Sequence, residues 1–270
     1  MGRSISDLPN ALAAKAGLQK AMGGRRPAVF LDYDGVLTPI VDHPEDARIS
    51  AAMGDVVRGL ARRTTVCVVS GRHRPVVQDL MGIDDLVVAG SHGFDIWSPE
   101  AGTLEHEAAS GSEELVERVT AQLHEEVDCV EGAFVESKRF SVAVHYRLVD
   151  PEGRERIAQV VDALLDERPD ELKMTPGKMV YELQPKLDWD KGKAVLYLID
   201  ALDLDLAEVV PLYLGDDHTD EHAFGALRGM GIGIFVGRAE DPEVAGRTTA
   251  ADYVLASTEE VERSLDGLAR

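Results

Sequence analysis

From Pro27 onward the chain alternates short continuous apolar runs with segments of helical period. Ala28-Val29-Phe30-Leu31 is the first run, and Met53, Val56, Val57 and Leu60 follow at helical spacing behind a Ser50 cap. Residues 65–69 form a second run, Val76, Val77, Leu80 and Met81 a second helical pattern, and residues 86–89 a third run. Continuous rather than alternating runs mark strands buried on both faces, as in a parallel sheet covered by helices. The expected fold class is therefore α/β, with a doubly wound, Rossmann-like parallel sheet. Ahead of it, residues 7–22 read as a helix with Asp7 near its cap.

The pattern changes over 97–111, a connection containing Pro, Gly and Ser, and a helix with Leu115, Val119, Leu123 and Val127 in register follows. Two alternating stretches come next, 133–135 and 140–147, then a helix carrying Ile157, Val160, Val161, Leu164 and Leu165. A hairpin over 171–183 is expected to turn at Pro176-Gly177. The order αββαββ predicts a small α+β module, an antiparallel sheet with two helices on one face. From Asp190 the parallel pattern resumes, with a capped helix (Val195, Leu198, Ile199, Leu202) and runs at 209–214, 233–236 and 253–255. The α+β module is thus an insertion, a cap over 98–185 within a core made of 1–97 and 186–270. No internal repeat or low-complexity tract interrupts this plan.

Composition narrows the partners. The 270 residues carry 28 Lys and Arg against 49 Asp and Glu, a formal charge of −21, and such a surface repels phosphate backbones and anionic lipid heads. Nucleic acid and membrane are excluded as expected partners. An anionic substrate would need cations gathered locally against this field. Cys67 and Cys129 cannot build a disulfide framework or a zinc site alone, which fits a reducing cytoplasm. No apolar stretch approaches the roughly 18 residues that span a bilayer. The charge order of the first 26 residues, with Lys15 and Lys20 among alanines and Arg25-Arg26 at the end, is not that of a signal peptide.

Four strand ends carry candidate chemistry. The first run ends in Asp32-Tyr33-Asp34-Gly35-Val36, two carboxylates and a glycine turn where open α/β sheets bind ligands. Two acids one residue apart can serve as metal ligand plus nucleophile, or as nucleophile plus proton donor. The second run ends in Ser70-Gly71-Arg72, a hydroxyl and backbone amides suited to phosphate, or simply a helix-capping turn. Trp189-Asp190-Lys191-Gly192-Lys193 opens a helix with a lysine placed against the helix dipole, which suggests an anion to be met. The run at 209–214 ends in Gly215-Asp216-Asp217-His218-Thr219-Asp220-Glu221, whose four acids repel one another unless a cation, by its oxygen ligands Mg²⁺, neutralises them.

Two other strings match motifs but lack their context. His218-Thr219-Asp220-Glu221-His222 fits the H-x-x-E-H of a class of zinc peptidases, yet it begins at a glycine turn after a strand rather than inside a helix. Gly229-Met230-Gly231-Ile232-Gly233 fails the spacing of a dinucleotide loop.

Taken jointly and in this order, D-x-D-G, S-G-R, insertion, K-G and G-D-D-x-x-D-E resemble the haloacid dehalogenase superfamily of phosphatases, from about residue 27 onward. Val36 stands where Thr is more usual, and the superfamily pattern accepts either. Leu37-Thr38-Pro39-Ile40, Gly90-Ser91-His92-Gly93-Phe94-Asp95, Glu136-Ser137-Lys138 with Ser141 and His145-Tyr146-Arg147, and Gly177-Lys178 with Tyr181-Glu182-Leu183-Gln184-Pro185 look like the trehalose-6-phosphate phosphatase family. That resemblance implies an Mg²⁺-dependent phosphoric monoester hydrolase of trehalose biosynthesis, releasing trehalose and phosphate from trehalose 6-phosphate. It implies that Asp32 attacks phosphorus and Asp34 is the proton donor and then the base. By the same resemblance, Asp32, the Asp34 carbonyl and Asp216 are expected to hold the metal, with Asp220 orienting a metal-bound water, and Ser70 and Lys191 to hold the phosphoryl oxygens. Substrate contacts are expected from Ser70, Gly71, Arg72, His92, Gly93, Lys138, His145, Arg147, Lys178 and Glu182. Period-two alternation independently puts Ser141, His145 and Arg147 on one strand face, and Lys178 with Glu182 on another, a polar face whose donors and acceptors suit sugar hydroxyls. A capped phosphatase for sucrose 6-phosphate or mannosyl-3-phosphoglycerate, or a phosphosugar mutase, shares the same core. A non-catalytic sugar-phosphate sensor is the alternative of another class, though it would not need Asp34 beside Asp32. Functional coupling to a separate trehalose-phosphate synthase is the expected partnership.

Overall fold

The apolar runs become the inner strands of one mixed sheet. The computed structural model describes residues 2–41, 43–104, 111–177, 179–242 and 244–269. Its first unit, 1–104 with 189–270, begins β1 (Arg3–Ser4), α1 (Lys15–Met22), β2 (Arg26–Leu31), α2 (Ala51–Ala61), β3 (Val66–Val69), α3 (Arg74–Met81) and β4 (Val87–Gly90). The hairpin β5 (Asp95–Ser98) and β6 (Gly102–Leu104) follows. After the insertion come α6 (Lys191–Ala201), β11 (Val209–Gly215), α7 (Asp220–Ala226), β12 (Ile232–Val236), β13 (Thr248–Thr249), β14 (Tyr253–Leu255) and α8 (Thr258–Ala269).

The sheet order is β14-β12-β11-β2-β3-β4-β5-β6, parallel from β14 through β4. β2 shows why its run is continuous. Val29 and Leu31 pack with Met53, Val57 and Leu60 of α2 and with Val261 and Leu265 of α8, while Ala28 and Phe30 pack with Val195 and Leu198 of α6 and Phe224 of α7. Both faces of the strand are covered, so neither can be polar. The fold is a doubly wound α/β core of the expected class. No described helix is long and apolar enough to cross a membrane.

The second unit, 105–188, contains α4 (Ser112–Val127), β7 (Phe134–Ser137), β8 (Val142–His145), α5 (Pro151–Glu167), β9 (Leu172–Gly177) and β10 (Val180–Pro185). Its antiparallel sheet runs β7-β8-β10-β9. Val135, Val142, Val144 and Leu183 form a core with Leu115, Val119 and Leu123 of α4 and Ile157, Val161 and Leu164 of α5.

Four local expectations change. Residues 7–22 are not one helix: the Asn10 side chain accepts the Leu12 and Ala13 N–H groups and Pro9 precedes it, so helix forms only from Lys15. The edge expected at 97 falls inside β5, because the β5–β6 hairpin extends the core sheet to Leu104. Pro176 and Gly177 end a strand instead of forming the turn, since Tyr181 pairs with Pro176 and Val180 with Gly177. Arg147 is not on the face of β8, because pairing with β10 stops at His145 and Arg147 lies in the following turn.

Candidate active site

β2 is where the sheet order reverses: β3 and β4 follow on one side and β11, β12 and β14 on the other. Ligands bind in this fold beyond the carboxyl ends of strands at such a switch point. Asp32 is the first residue past β2, its N–H donating to Leu214 O at 2.9 Å. Its Oδ1 accepts the Tyr33 N–H at 2.7 Å, and the chain turns through Gly35 at φ +74°. A Cβ on Gly35 would collide with Asp216 Oδ2, so glycine lets the β2 and β11 ends approach.

Lys191 is the first residue of α6, whose N-terminus is capped by the Asp190 side chain accepting from Lys193 N–H at 2.9 Å. Its Nζ donates to Asp32 Oδ2 at 2.6 Å and to Asp220 Oδ1 at 2.7 Å. The ammonium is only 3% exposed, and Asp220 is 0% exposed. Asp220 Oδ1 also accepts from Tyr213 OH at 2.6 Å, and Oδ2 accepts the Asp216 and Asp217 N–H groups at 2.9 Å each. Both Asp220 oxygens are thereby saturated. A Cβ on Gly215 would collide with the Asp220 side chain, which explains the glycine before the acids.

The electrostatics follow from burial. Asp32 is held well above the ordinary carboxylate range, first by burial and then by Asp220 and Asp216, with Lys191 opposing. Asp216 is pushed up to about 7, by burial and then by Asp220. Burial alone would depress Lys191, but Asp32 and Asp220 more than offset it and keep the ammonium charged. Burial, then Asp220 and Asp32, holds Tyr213 far above the usual phenol range. Carboxylate oxygens of Asp32, Asp216 and Asp220 lie within 4.8 Å of one another. Fully ionised, the three carboxylates and one ammonium would carry a charge of −2, which a divalent cation balances. Hard oxygen donors suit Mg²⁺, and Asp32 and Asp216 are the carboxylates with acceptor capacity left.

Asp34 points to a different partner. Arg72 grips it with two parallel bonds, Nε to Oδ2 at 2.6 Å and Nη2 to Oδ1 at 2.7 Å. Sequence reasoning placed Arg72 on the substrate and missed this pair. It missed Tyr213 too, although a tyrosine inside a wholly buried strand needs a hydroxyl partner and so carried a signal. Ser70 is buried, and its Oγ accepts the Arg72 N–H at 3.1 Å, so that amide is not free for an anion. His92 N–H donates to Ser70 O at 2.8 Å, and a Cβ on Gly71 would meet His92 Cε1 at 2.7 Å. These bring Ser70, Gly71, Arg72 and His92 together. Gly93, at φ +92°, instead allows close packing on α6, where a Cβ would collide with that of Ala194.

In the second unit, Glu182 Oε1 accepts from Lys138 Nζ at 3.0 Å and Ser141 Oγ at 2.8 Å, and His145 Nε2 lies 2.8 Å from Glu136 Oε2. Strand register explains the cluster, since Glu182 and Glu136 both pair with Ala143 from opposite sides. Arg147 is exposed and outside it, and Lys178 lies outside the described residues. The peptidase string fails geometrically: His218 precedes α7 and pairs with Asp217, while Glu221 Oε2 accepts the Ala250 N–H.

The profile of the trehalose-phosphatase family matches residues 30–258. The chain belongs to the trehalose-phosphatase family. A Mycobacterium marinum trehalose-phosphate phosphatase is 41% identical over 256 residues, covering 94% of this chain and 64% of that relative. The chain thus spans somewhat less than two thirds of that family member. Among solved structures, an Aspergillus fumigatus trehalose-6-phosphate phosphatase aligns with TM-score 0.66 and 29% identity, over 97% of this chain and 98% of that one. The C-terminal domain of a Candida albicans trehalose-6-phosphate phosphatase shares the fold, with TM-score 0.71 and 23% identity over 97% of this chain and 98% of that one. The matched span includes the ends of β2, β3 and β11 and the start of α6.

Proposed function

We propose that the chain is an Mg²⁺-dependent phosphatase converting trehalose 6-phosphate and water into trehalose and phosphate. The supporting observation is the array of buried Asp32, Lys191 and Asp220 with half-buried Asp216 at the sheet's switch point, in a chain of the trehalose-phosphatase family. A carboxylate at that place is a nucleophile for phosphorus, which splits one hard displacement into two easier ones. Asp32 forms the bond to phosphorus as the sugar oxygen leaves, and Asp34 gives that oxygen its proton. Asp34 then takes a proton from the water that hydrolyses the aspartyl phosphate, restoring both carboxyl groups. Ser70 and Lys191 stabilise the phosphoryl oxygens, and Asp220 places Lys191 and the turn bearing Asp216. Asp32, Asp216 and the Asp34 carbonyl would hold Mg²⁺, which when bound supplies the positive charge that lets a phosphate dianion approach Asp32.

Discrimination between sugars is assigned to the second unit, 105–188, acting as a cap, because metal and phosphate are common to every candidate substrate. Glu182, Lys138, Ser141 and His145 offer the donors and acceptors a sugar ring requires, with Lys178 as a further expected contact. A cytoplasmic enzyme supplied by a separate synthase completes the reading. Phosphate release should be measured with trehalose 6-phosphate, sucrose 6-phosphate, mannosyl-3-phosphoglycerate and glucose 6-phosphate. Preference for trehalose 6-phosphate is expected; preference for another ester overturns the substrate, and no release from any overturns the enzyme.

A further inference from the structure

The sequence motifs leave unsaid what holds Asp34. It lies three residues beyond the end of β2, in a turn where its backbone bridges to Thr38, so the strand does not orient its side chain. Arg72 does, through the two parallel bonds from Nε and Nη2. The third guanidinium nitrogen, Nη1, donates to Pro44 O at 2.7 Å, and Cζ lies 5.9 Å from the centre of the Tyr33 ring. The Arg72 backbone is fixed as well, its N–H donating to Ser70 Oγ at 3.1 Å and its carbonyl accepting from Ser91 N–H at 2.7 Å. Ser91 and His92 hold left-handed φ values of +50° and +57°, uncommon for residues with a Cβ, and in that conformation their amides reach Arg72 O and Ser70 O. A guanidinium with all three nitrogens engaged and its backbone pinned twice is built to hold a neighbour still.

We propose that Arg72 is the positioning residue for Asp34, clamping its carboxyl group where the leaving sugar oxygen must be met, rather than a ligand of the phosphoryl group. This rests on the phosphatase reading above. A positioned acid is worth about 10²–10⁴ in rate, and a displacement near 1 Å costs about 10². That loss falls only on substrates whose leaving group needs a proton. A sugar alkoxide needs one; p-nitrophenolate leaves without it. The kcat/KM value reports steps only through the first irreversible one, here departure of the leaving group, so it isolates this half of the reaction.

The test compares kcat/KM for trehalose 6-phosphate and p-nitrophenyl phosphate, both with Mg²⁺, in wild type, Arg72→Ala, Asp34→Asn and the double variant. The expected result is that Arg72→Ala loses at least tenfold more on the sugar phosphate than on the aryl phosphate. Asp34→Asn should show the same selective loss, and the double variant no selectivity beyond that of Asp34→Asn. Millimolar guanidinium should restore part of the sugar-phosphate activity of Arg72→Ala. Arg72→Lys keeps the charge without the fork, and should show the selective loss if Arg72→Ala does not fold. Equal losses on both substrates would overturn the clamp and return Arg72 to phosphate binding or to the fold. Wild-type protein that hydrolyses neither ester would instead overturn the phosphatase reading.

Discussion

Lys191→Met removes the single cation from the buried array while roughly keeping its volume. The lost bonds are the two from Nζ at 2.6 and 2.7 Å, made by an ammonium 3% exposed to carboxylates 8% and 0% exposed. Deleting one partner of a buried pair leaves uncompensated charge, and the cost is about 3–5 kcal/mol. Against a total stability of about 5–15 kcal/mol, that is a large fraction. Asp32 and Asp216 already sit above their unfolded-chain values, so their unfavourable contribution is absent below about pH 4 and grows as pH rises. For Asp216 the growth ends near pH 7. Without Lys191 the carboxylates are worse off at neutral pH, whereas protonated carboxyls no longer need an ammonium. Urea unfolding followed by tryptophan fluorescence, in chelator, should therefore show a deficit of about 3–5 kcal/mol at pH 7.5 that narrows toward pH 5. A deficit below about 1 kcal/mol at pH 7.5, or one unchanged with pH, would refute the charge network.

Other consequences are equally direct. Asp32→Asn should stay folded and lose at least ~10³-fold in turnover, and full activity in that variant would sink the nucleophile assignment. With Asp216 at about 7, Mg²⁺ must displace a proton below that pH, so affinity should fall about fivefold from pH 7 to pH 6 and approach about tenfold per unit below that. Calorimetry in two buffers of different ionisation enthalpy reads that proton, and identical heats would contradict it. Glu182→Ala should cut kcat/KM for trehalose 6-phosphate about ten- to a hundredfold, the cost of one charged hydrogen bond to a hydroxyl. The loss should exceed that on p-nitrophenyl phosphate by at least threefold, and equal losses would assign Glu182 to the stability of the β8–β10 pair.

The sequence by itself determined what depends on local pattern. Residues buried on both faces must be apolar without interruption, so the runs at β2, β3, β4 and β11 were legible, and so were the carboxylates where β2 and β11 end. The αββαββ insertion was legible from its alternating stretches and two helical periods instead. Local chemistry failed where other contacts outvoted propensity: the Asn10 side chain held a turn ahead of a later helix start, and strand pairing carried β9 through Pro176-Gly177. Tertiary structure alone decided which charge meets which. Arg72 and Asp34 are 38 residues apart, and Lys191 and Asp32 are 159 apart, and they meet because β3 and β11 flank β2 and α6 begins beside its end. Strand order is set by burial summed over the whole sheet, a quantity that no window of sequence contains. A motif can therefore name an acid, but the neighbour that holds it, charges it or saturates it comes from the packing.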